Sequence, residues 1–138
     1  MAVIEKKRIV RFIKFGVIGA TGIVVNTSVL WILHEWLGLA VFLASPLAIG
    51  LAIFNNFTWN DRFTWKENRD RRKYTYWHRL WKYYLSASLG GAINYVSLLV
   101  LTEFFSFNYL IANLSGILLG MVSNFSLSEW WVFRSRTD

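Results

Sequence analysis

The chain has no cysteine, one proline and only 17% charged residues among 138. Without cysteine it is not a disulfide-stapled secreted domain, a thiolate zinc module, a dithiol redox enzyme or a cysteine hydrolase. The scarcity of charge excludes an ordinary soluble domain as well. A globular surface of this size disperses charges of both signs, whereas here they are bunched and long tracts carry none. No carboxylate stands in the middle of those tracts, which removes the ion site that a proton-driven exporter needs. Walker-type loops and metal-ligand clusters are absent, and neither His34 nor His78 stands near a serine or aspartate at motif spacing. The sequence therefore reads as a protein that is not an enzyme, with no cofactor and no metal.

What is present is apolar bulk: 55% hydrophobic residues, 18% aromatic and a mean hydropathy of +0.37. Four tracts are free of charge: Phe15 to Leu33, Trp36 to Asn60, Tyr83 to Thr102 and Phe104 to Ser128. At about 1.5 Å per helical residue each is long enough for a hydrocarbon layer of about 30 Å. The expected fold is an all-α membrane protein with four transmembrane helices. A cleaved leader is not expected, because Met1 to Lys14 is a long basic preface and Ile23-Val24-Val25-Asn26 offers no small-residue cleavage site before the apolar run continues. All 15 Lys and Arg fall before the first tract, between the second and third, or after the fourth. Basic loops stay in the cytoplasm, so both termini and the middle loop are placed inside. A net charge of +7 would suit nucleic acid, but cations and aromatics flanking spanning helices mark an anionic lipid surface instead.

The chain also repeats itself. A shift of 68 residues superimposes Arg11 on Arg79, Lys14 on Lys82, Gly22 on Gly90, Asn26 on Asn94, Glu35 on Glu103, Ala44 on Ala112 and Asn56-Phe57 on Asn124-Phe125, without a gap. The repeat, 11–66 and 79–134, makes each half one helical hairpin within a single membrane domain, 1–138. A hairpin holds two crossings, so the copies enter the membrane in the same sense, as a parallel repeat about the membrane normal. Duplication for packing accounts for the Leu and Ala matches. It accounts less well for Lys, Asn and Glu.

Asn26, Asn56, Asn94 and Asn124 fall well inside the expected bilayer. An asparagine facing lipid would leave its donors and acceptor unsatisfied, so these side chains should face protein, water or a ligand. Interhelical hydrogen bonding, worth about 1 kcal/mol, and a polar substrate pathway both fit. Asn55 and Ser123 beside them add weight to a pathway. Arg11, Lys14, Arg79 and Lys82 flank the inner boundary, where long side chains snorkel to headgroup level and can meet a lipid phosphate. Arg62 is a further candidate, with a local ion pair to Asp61 or an interfacial anchor as the simpler account.

The spacing Gly16, Gly19, Gly22 imitates a dinucleotide-binding loop, but it lies inside an expected spanning helix rather than between a strand and a helix. The small residues Gly16, Gly19 and Ala20, with Gly90, Gly91, Gly116 and Gly120, are expected to allow close helix contact. Pro46 after Ser45 suits a helix cap and first turn, so the second helix begins there or, earlier, near Val41. Between Lys66 and Trp77 a basic, aromatic segment is expected to lie on the membrane surface.

The run Arg11-Phe-Ile-Lys-Phe-Gly-Val-Ile-Gly-Ala-Thr-Gly-Ile-Val-Val-Asn26, with Asn56-Phe57 leading into Arg62-Phe63-Thr64-Trp65, resembles the GtrA-like family of small four-helix membrane proteins. The resemblance covers nearly the whole chain. Asn60-Asp61-Arg62 departs slightly from the family pattern, and the second copy carries Glu129-Trp130, which leaves no cation at position 130. The resemblance implies translocation of a polyprenyl-phosphate-linked sugar across the inner (cytoplasmic) membrane for cell-surface glycosylation, or a role as noncatalytic anchor or partner of a glycosyltransferase. Joined to the residues, it implies a substrate site of Lys14, Lys82 and Arg62 for the phosphate and Asn26, Asn56, Asn94 and Asn124 for sugar hydroxyls. Four helices enclose little volume, so the headgroup would cross along a laterally open groove or between the protomers of a homodimer. A small multidrug exporter, similar in size and helix count, ranks third.

Overall fold

The computed structural model describes residues 2–137, apart from the side chains of Ala2, Phe42, Tyr109 and Leu110. Met1 and Asp138, the ends of the expected domain, lie outside the described residues. Helix makes up 86% of the chain, and among the described residues there is no strand, only one isolated antiparallel bridge, Arg72 to Ser135. Four long helices follow in order: α1, Ala2–Trp31; α2, Val41–Trp59; α3, Tyr76–Glu103; and α4, Tyr109–Leu127. The chain divides into two compact units, Met1–Asp70 and Arg71–Asp138. Each unit contains one pair of helices.

Val3–Trp36, Tyr76–Glu103 and Ile111–Val132 are long and apolar enough to cross a membrane. Their outer faces fit that environment, because Val17, Ile23, Val24, Leu89, Val96, Leu114 and Leu118 are all exposed. The basic preface of the sequence is not a separate arm. It forms the first turns of α1, which at 30 residues is about 45 Å long and exceeds an apolar layer of about 30 Å. The 25-residue second tract yields only the 19 residues of α2, because Trp36 closes a π-turn and the link to Ala40 takes the rest. That helix is about 28 Å long. It starts at Val41, not at Pro46, so Pro46 sits inside it, in its second turn.

The links between helices show why these residues turn. The α1–α2 connection passes through Gly38 at φ +67°, a left-handed conformation that costs glycine nothing. The α3–α4 connection passes through Ser106 at φ +53°, again 68 residues on. At the other end of each hairpin the helix closes in a π-turn, Asn60–Thr64 after α2 and Ser128–Val132 after α4. The closing bonds run from Trp65 N to Asn60 O, 3.0 Å, and from Phe133 N to Ser128 O, 2.9 Å. The wider turn carries the next ring back over the neighbouring helix. Trp65, fully buried, meets Phe15 edge to face with ring centres 6.1 Å apart; Phe133 meets Tyr83 at 6.0 Å.

Each hairpin is zipped by small residues four apart, which present one helical face and let backbones approach. On α2 these are Ala44, Ala48 and Ala52, and on α4 Ala112, Gly116 and Gly120, all buried. Gly22 of α1 leaves room for the Asn56 amide, and Gly90 of α3 lies so close to α4 that an added Cβ would be 2.8 Å from Gly120 O. Gly19 and Gly91, expected as packing residues, have nothing within 4 Å of such a Cβ. They stand on the outer faces of their helices.

The π-turns differ in one buried pair. Thr64 Oγ1 donates to Asn60 Oδ1 at 2.7 Å, with both residues buried. At the matching positions stand Ser128 and Val132, and Ser128 Oγ has no partner. Thr64→Val should therefore cost about 1–3 kcal/mol, while Ser128→Ala is neutral or slightly stabilising. Chemical or thermal unfolding in detergent checks both. Equal effects would contradict the arrangement.

Candidate functional site

Of the seven residues singled out by sequence, Lys14, Asn26, Asn56 and Arg62 lie in the first unit and Lys82, Asn94 and Asn124 in the second. Lys14 is half-buried in the N-terminal half of α1 and lines a groove of about 340 Å³ with Ile13, Val17, Ile18, Phe63 and Lys66. It also borders a second groove, about 330 Å³, along the face of α1 that carries Lys6, Lys7 and Arg11. Arg11 meets Glu67 at 3.6 Å, a partly exposed pair of small energetic worth. Among the described residues, neither Lys14 nor Lys66 forms an ion pair.

Arg62 is exposed and Asp61 buried. Among the described residues Arg62 forms no ion pair with Asp61, one of the two simpler accounts of its place, because successive helical residues point in different directions. Arg62 thus faces outward from the π-turn with its guanidinium available.

Lys82 has different surroundings from Lys14. Its ammonium lies 3.0 Å from the centre of the Tyr74 ring and 5.1 Å from that of Trp131, within cation–π reach of both. Hydrogen bonding to Lys82 holds the Tyr74 phenol below its ordinary titration range, with desolvation opposing. Tyr74 is itself placed by the loop before α3, where Lys73 N donates to Arg134 O at 3.3 Å and Arg136 N to Arg71 O at 2.7 Å. These bonds organise the segment that follows the short 3₁₀ turn Lys66–Arg71.

The asparagines form two kinds of site. Asn124 Oδ1 accepts a 2.7 Å bond from Ser86 Oγ, which ties α4 to α3. Asn56 Oδ1 is approached at 3.4 Å by Asn55 Nδ2, which also reaches Thr21 Oγ1 at 3.3 Å. Trp59 Nε1 donates to Asn55 Oδ1 at 3.0 Å, so Asn55 joins α2 to α1. Asn26 and Asn94 are the exceptions. The Oδ1 of each is buried and accepts no hydrogen bond. An orphan acceptor costs about 1–3 kcal/mol, and native folds seldom keep one without a use.

Sequence reasoning missed the buried polar set Asn60, Thr64, Ser86 and Ser128, and it placed Arg79 at headgroup level. Arg79 is buried instead, with Nη1 donating to Tyr74 O at 2.7 Å. The spacing of Asn60 and Thr64, one helical turn apart, was the available clue. Nothing local distinguishes Arg79 from a snorkelling cation.

Two apolar hairpins with cations and amides along their helices describe a membrane domain. Residues 14–133 match the family GtrA/DPMS, transmembrane domain. The chain belongs to that family and is a multi-pass membrane protein. It is also similar, at 40% identity over 109 residues, to a protein of Pyrococcus furiosus named dolichol-phosphate mannosyltransferase. That match takes in 79% of this chain but 30% of the relative.

Proposed function

We propose that the chain moves a polyprenyl-phosphate-linked sugar across the cytoplasmic membrane and is not itself an enzyme. All four helices cross, α2 included, with both termini and the basic middle segment in the cytoplasm. The two hairpins are copies of one ancestral unit. Lys14 and Arg62 set the level at which the phosphate is attracted, while Lys82 is held against Tyr74 and Trp131, and Asn26, Asn56, Asn94 and Asn124 offer amides to sugar hydroxyls while the isoprenoid tail stays in lipid. The observation that carries this reading is the pair of buried Oδ1 atoms on Asn26 and Asn94 that accept no hydrogen bond. A sugar hydroxyl is the donor they lack. Family membership supports a polyprenyl-phosphate lipid as the class. Nothing in the proposed step is coupled to an energy source, so net direction follows consumption of the lipid-linked sugar on the far side.

The test uses proteoliposomes containing the full chain and a fluorescent polyprenyl-phosphate sugar, scored by loss of label from one leaflet. Protein-dependent movement that falls to the level of empty vesicles when all four asparagines become leucine is the expected result. Movement equal to empty vesicles with the unaltered protein overturns the proposal.

A second reading is favoured by the relative, in which a stretch like this chain accompanies a much longer protein named as a mannosyltransferase. On that reading the chain is the membrane partner of a glycosyltransferase. Exposed Arg71 and Lys73 are then on the contact surface. Charge reversal there should abolish partner binding while leaving translocation unchanged.

A further inference from the structure

The 68-residue match makes Lys14 and Lys82 look interchangeable, but their environments are not. Lys82 lies against Tyr74 and Trp131. The positions that correspond to those rings in the N-terminal half are Lys6 and Phe63. The place of the tyrosine that cradles Lys82 is thus taken by a lysine eight residues before Lys14 on α1, and no ring at that position cradles Lys14. Phe63 instead stacks on Trp59 with ring centres 5.1 Å apart and forms one wall of the 340 Å³ groove.

That groove has the composition of an amphiphile's seat. Its walls are Ile13, Val17, Ile18 and Phe63, and the cations on it are Lys14 and Lys66. Ile13, Val17 and Phe63 are 58%, 61% and 50% exposed, so it opens sideways, towards lipid for a chain embedded as proposed. Lys14 also borders the groove carrying Lys6, Lys7 and Arg11, which extends the positive field towards the end of α1. An anion is drawn to this end, and an apolar chain to the slot below it.

Resting on the function proposed above, we infer that the lipid is captured by the N-terminal hairpin alone: an isoprenoid phosphate seats its single chain along Ile13, Val17, Ile18 and Phe63 and its phosphate between Lys14 and Lys66, whereas Lys82 is a structural cation. A single-chain lipid places its whole apolar part against the slot. A diacyl lipid must leave one chain outside it. Lys66, which sequence reasoning passed over, becomes a binding residue, and the two halves of the repeat divide their work.

The test is photo-crosslinking of the full chain in nanodiscs with a diazirine-bearing farnesyl phosphate, the labelled peptide being identified by mass spectrometry. Label is expected on residues 13–18 and at Phe63, and unlabelled farnesyl phosphate should compete. Farnesol, inorganic phosphate and excess phosphatidylglycerol should not. Lys14→Gln and Lys66→Gln should each weaken capture by about tenfold, the effect of one charge-assisted contact. Lys82→Gln should change capture less than about twofold while lowering the unfolding temperature, as loss of a cation–π contact requires. Label concentrated on α3, or equal losses for Lys14→Gln and Lys82→Gln, overturns the inference. Competition by phosphatidylglycerol overturns the assigned occupant and makes the groove a general phospholipid seat, and competition by inorganic phosphate overturns the role of the slot. Translocation without labelling of the groove would sink this inference and spare the function. Labelling without translocation would do the reverse.

Discussion

Gly120→Leu is expected to prevent the C-terminal hairpin from closing. A Cβ built at Gly120 runs into the Gly90 carbonyl oxygen and lies 3.3 Å from Asn94 Cβ, and the reciprocal Cβ at Gly90 meets Gly120 O at 2.8 Å and Asn124 Cβ at 3.1 Å. The obstacle is backbone on both sides, so no side chain can swing aside. Gly120→Ala already forces the helices apart, at about 1–3 kcal/mol, and leucine adds branched atoms where no space exists. The contact loosened would include the Ser86–Asn124 bond, since Ser86 and Gly90 are one turn apart on α3. Gly50→Ala and Gly91→Ala are the controls, because nothing lies within 4 Å of either added Cβ. Each should be neutral or stabilise by up to about 1 kcal/mol through helix propensity. Thermal unfolding in detergent, followed by circular dichroism, reads all four variants. Wild-type unfolding of Gly120→Leu would refute the close approach of α3 and α4.

Much of this packing was legible in the sequence, because a chain with so few charges states its apolar tracts and its cation-rich segments plainly. Gly90, Gly116 and Gly120 could be assigned to helix contact from the need for small residues between membrane helices. Gly19 and Gly91 could not be told from them, since facing is a property of the pair and not of one helix. The links were less legible. Trp36 and Phe104 belong to uncharged tracts, yet the helices after them begin at Val41 and Tyr109. The intervening residues turn at Gly38 and Ser106, and an apolar link looks like helix when only charge marks the boundaries.

Of the candidate site, the positions of the asparagines and lysines along their helices could be read from the sequence. The state of each side chain could not. Asn60, Asp61 and Arg79 are buried because the chain folds back at the π-turns and at the Arg72–Ser135 bridge, and neither has a periodic signature. The unlike fates of Lys14 and Lys82 depend on Tyr74, eight residues before Lys82, while the residue eight before Lys14 is another lysine. The repeat was visible at identical positions. Its functional break lies at the positions that differ.

Asn26→Leu and Asn94→Leu are expected to abolish translocation while leaving the protein folded. Each Oδ1 is buried without a hydrogen bond, so removing the amide relieves an unsatisfied acceptor and deletes no partner from the fold. Stability in detergent should stay within about 1 kcal/mol of wild type or rise. Asn124→Leu supplies the contrast: it removes the acceptor that Ser86 Oγ holds at 2.7 Å, which should cost about 1 kcal/mol as interhelical bonds in membranes do. If the amides served packing alone, activity would follow stability through the series, and Asn124→Leu would be the most damaged. If Asn26 and Asn94 receive sugar hydroxyls, the two readouts separate, with movement at the level of empty vesicles in variants that unfold no earlier than the parent. The parallel measurement of leaflet exchange and unfolding decides it. Loss of stability together with loss of transport at Asn26 and Asn94 would return these residues to the interior of the fold and remove them from the path.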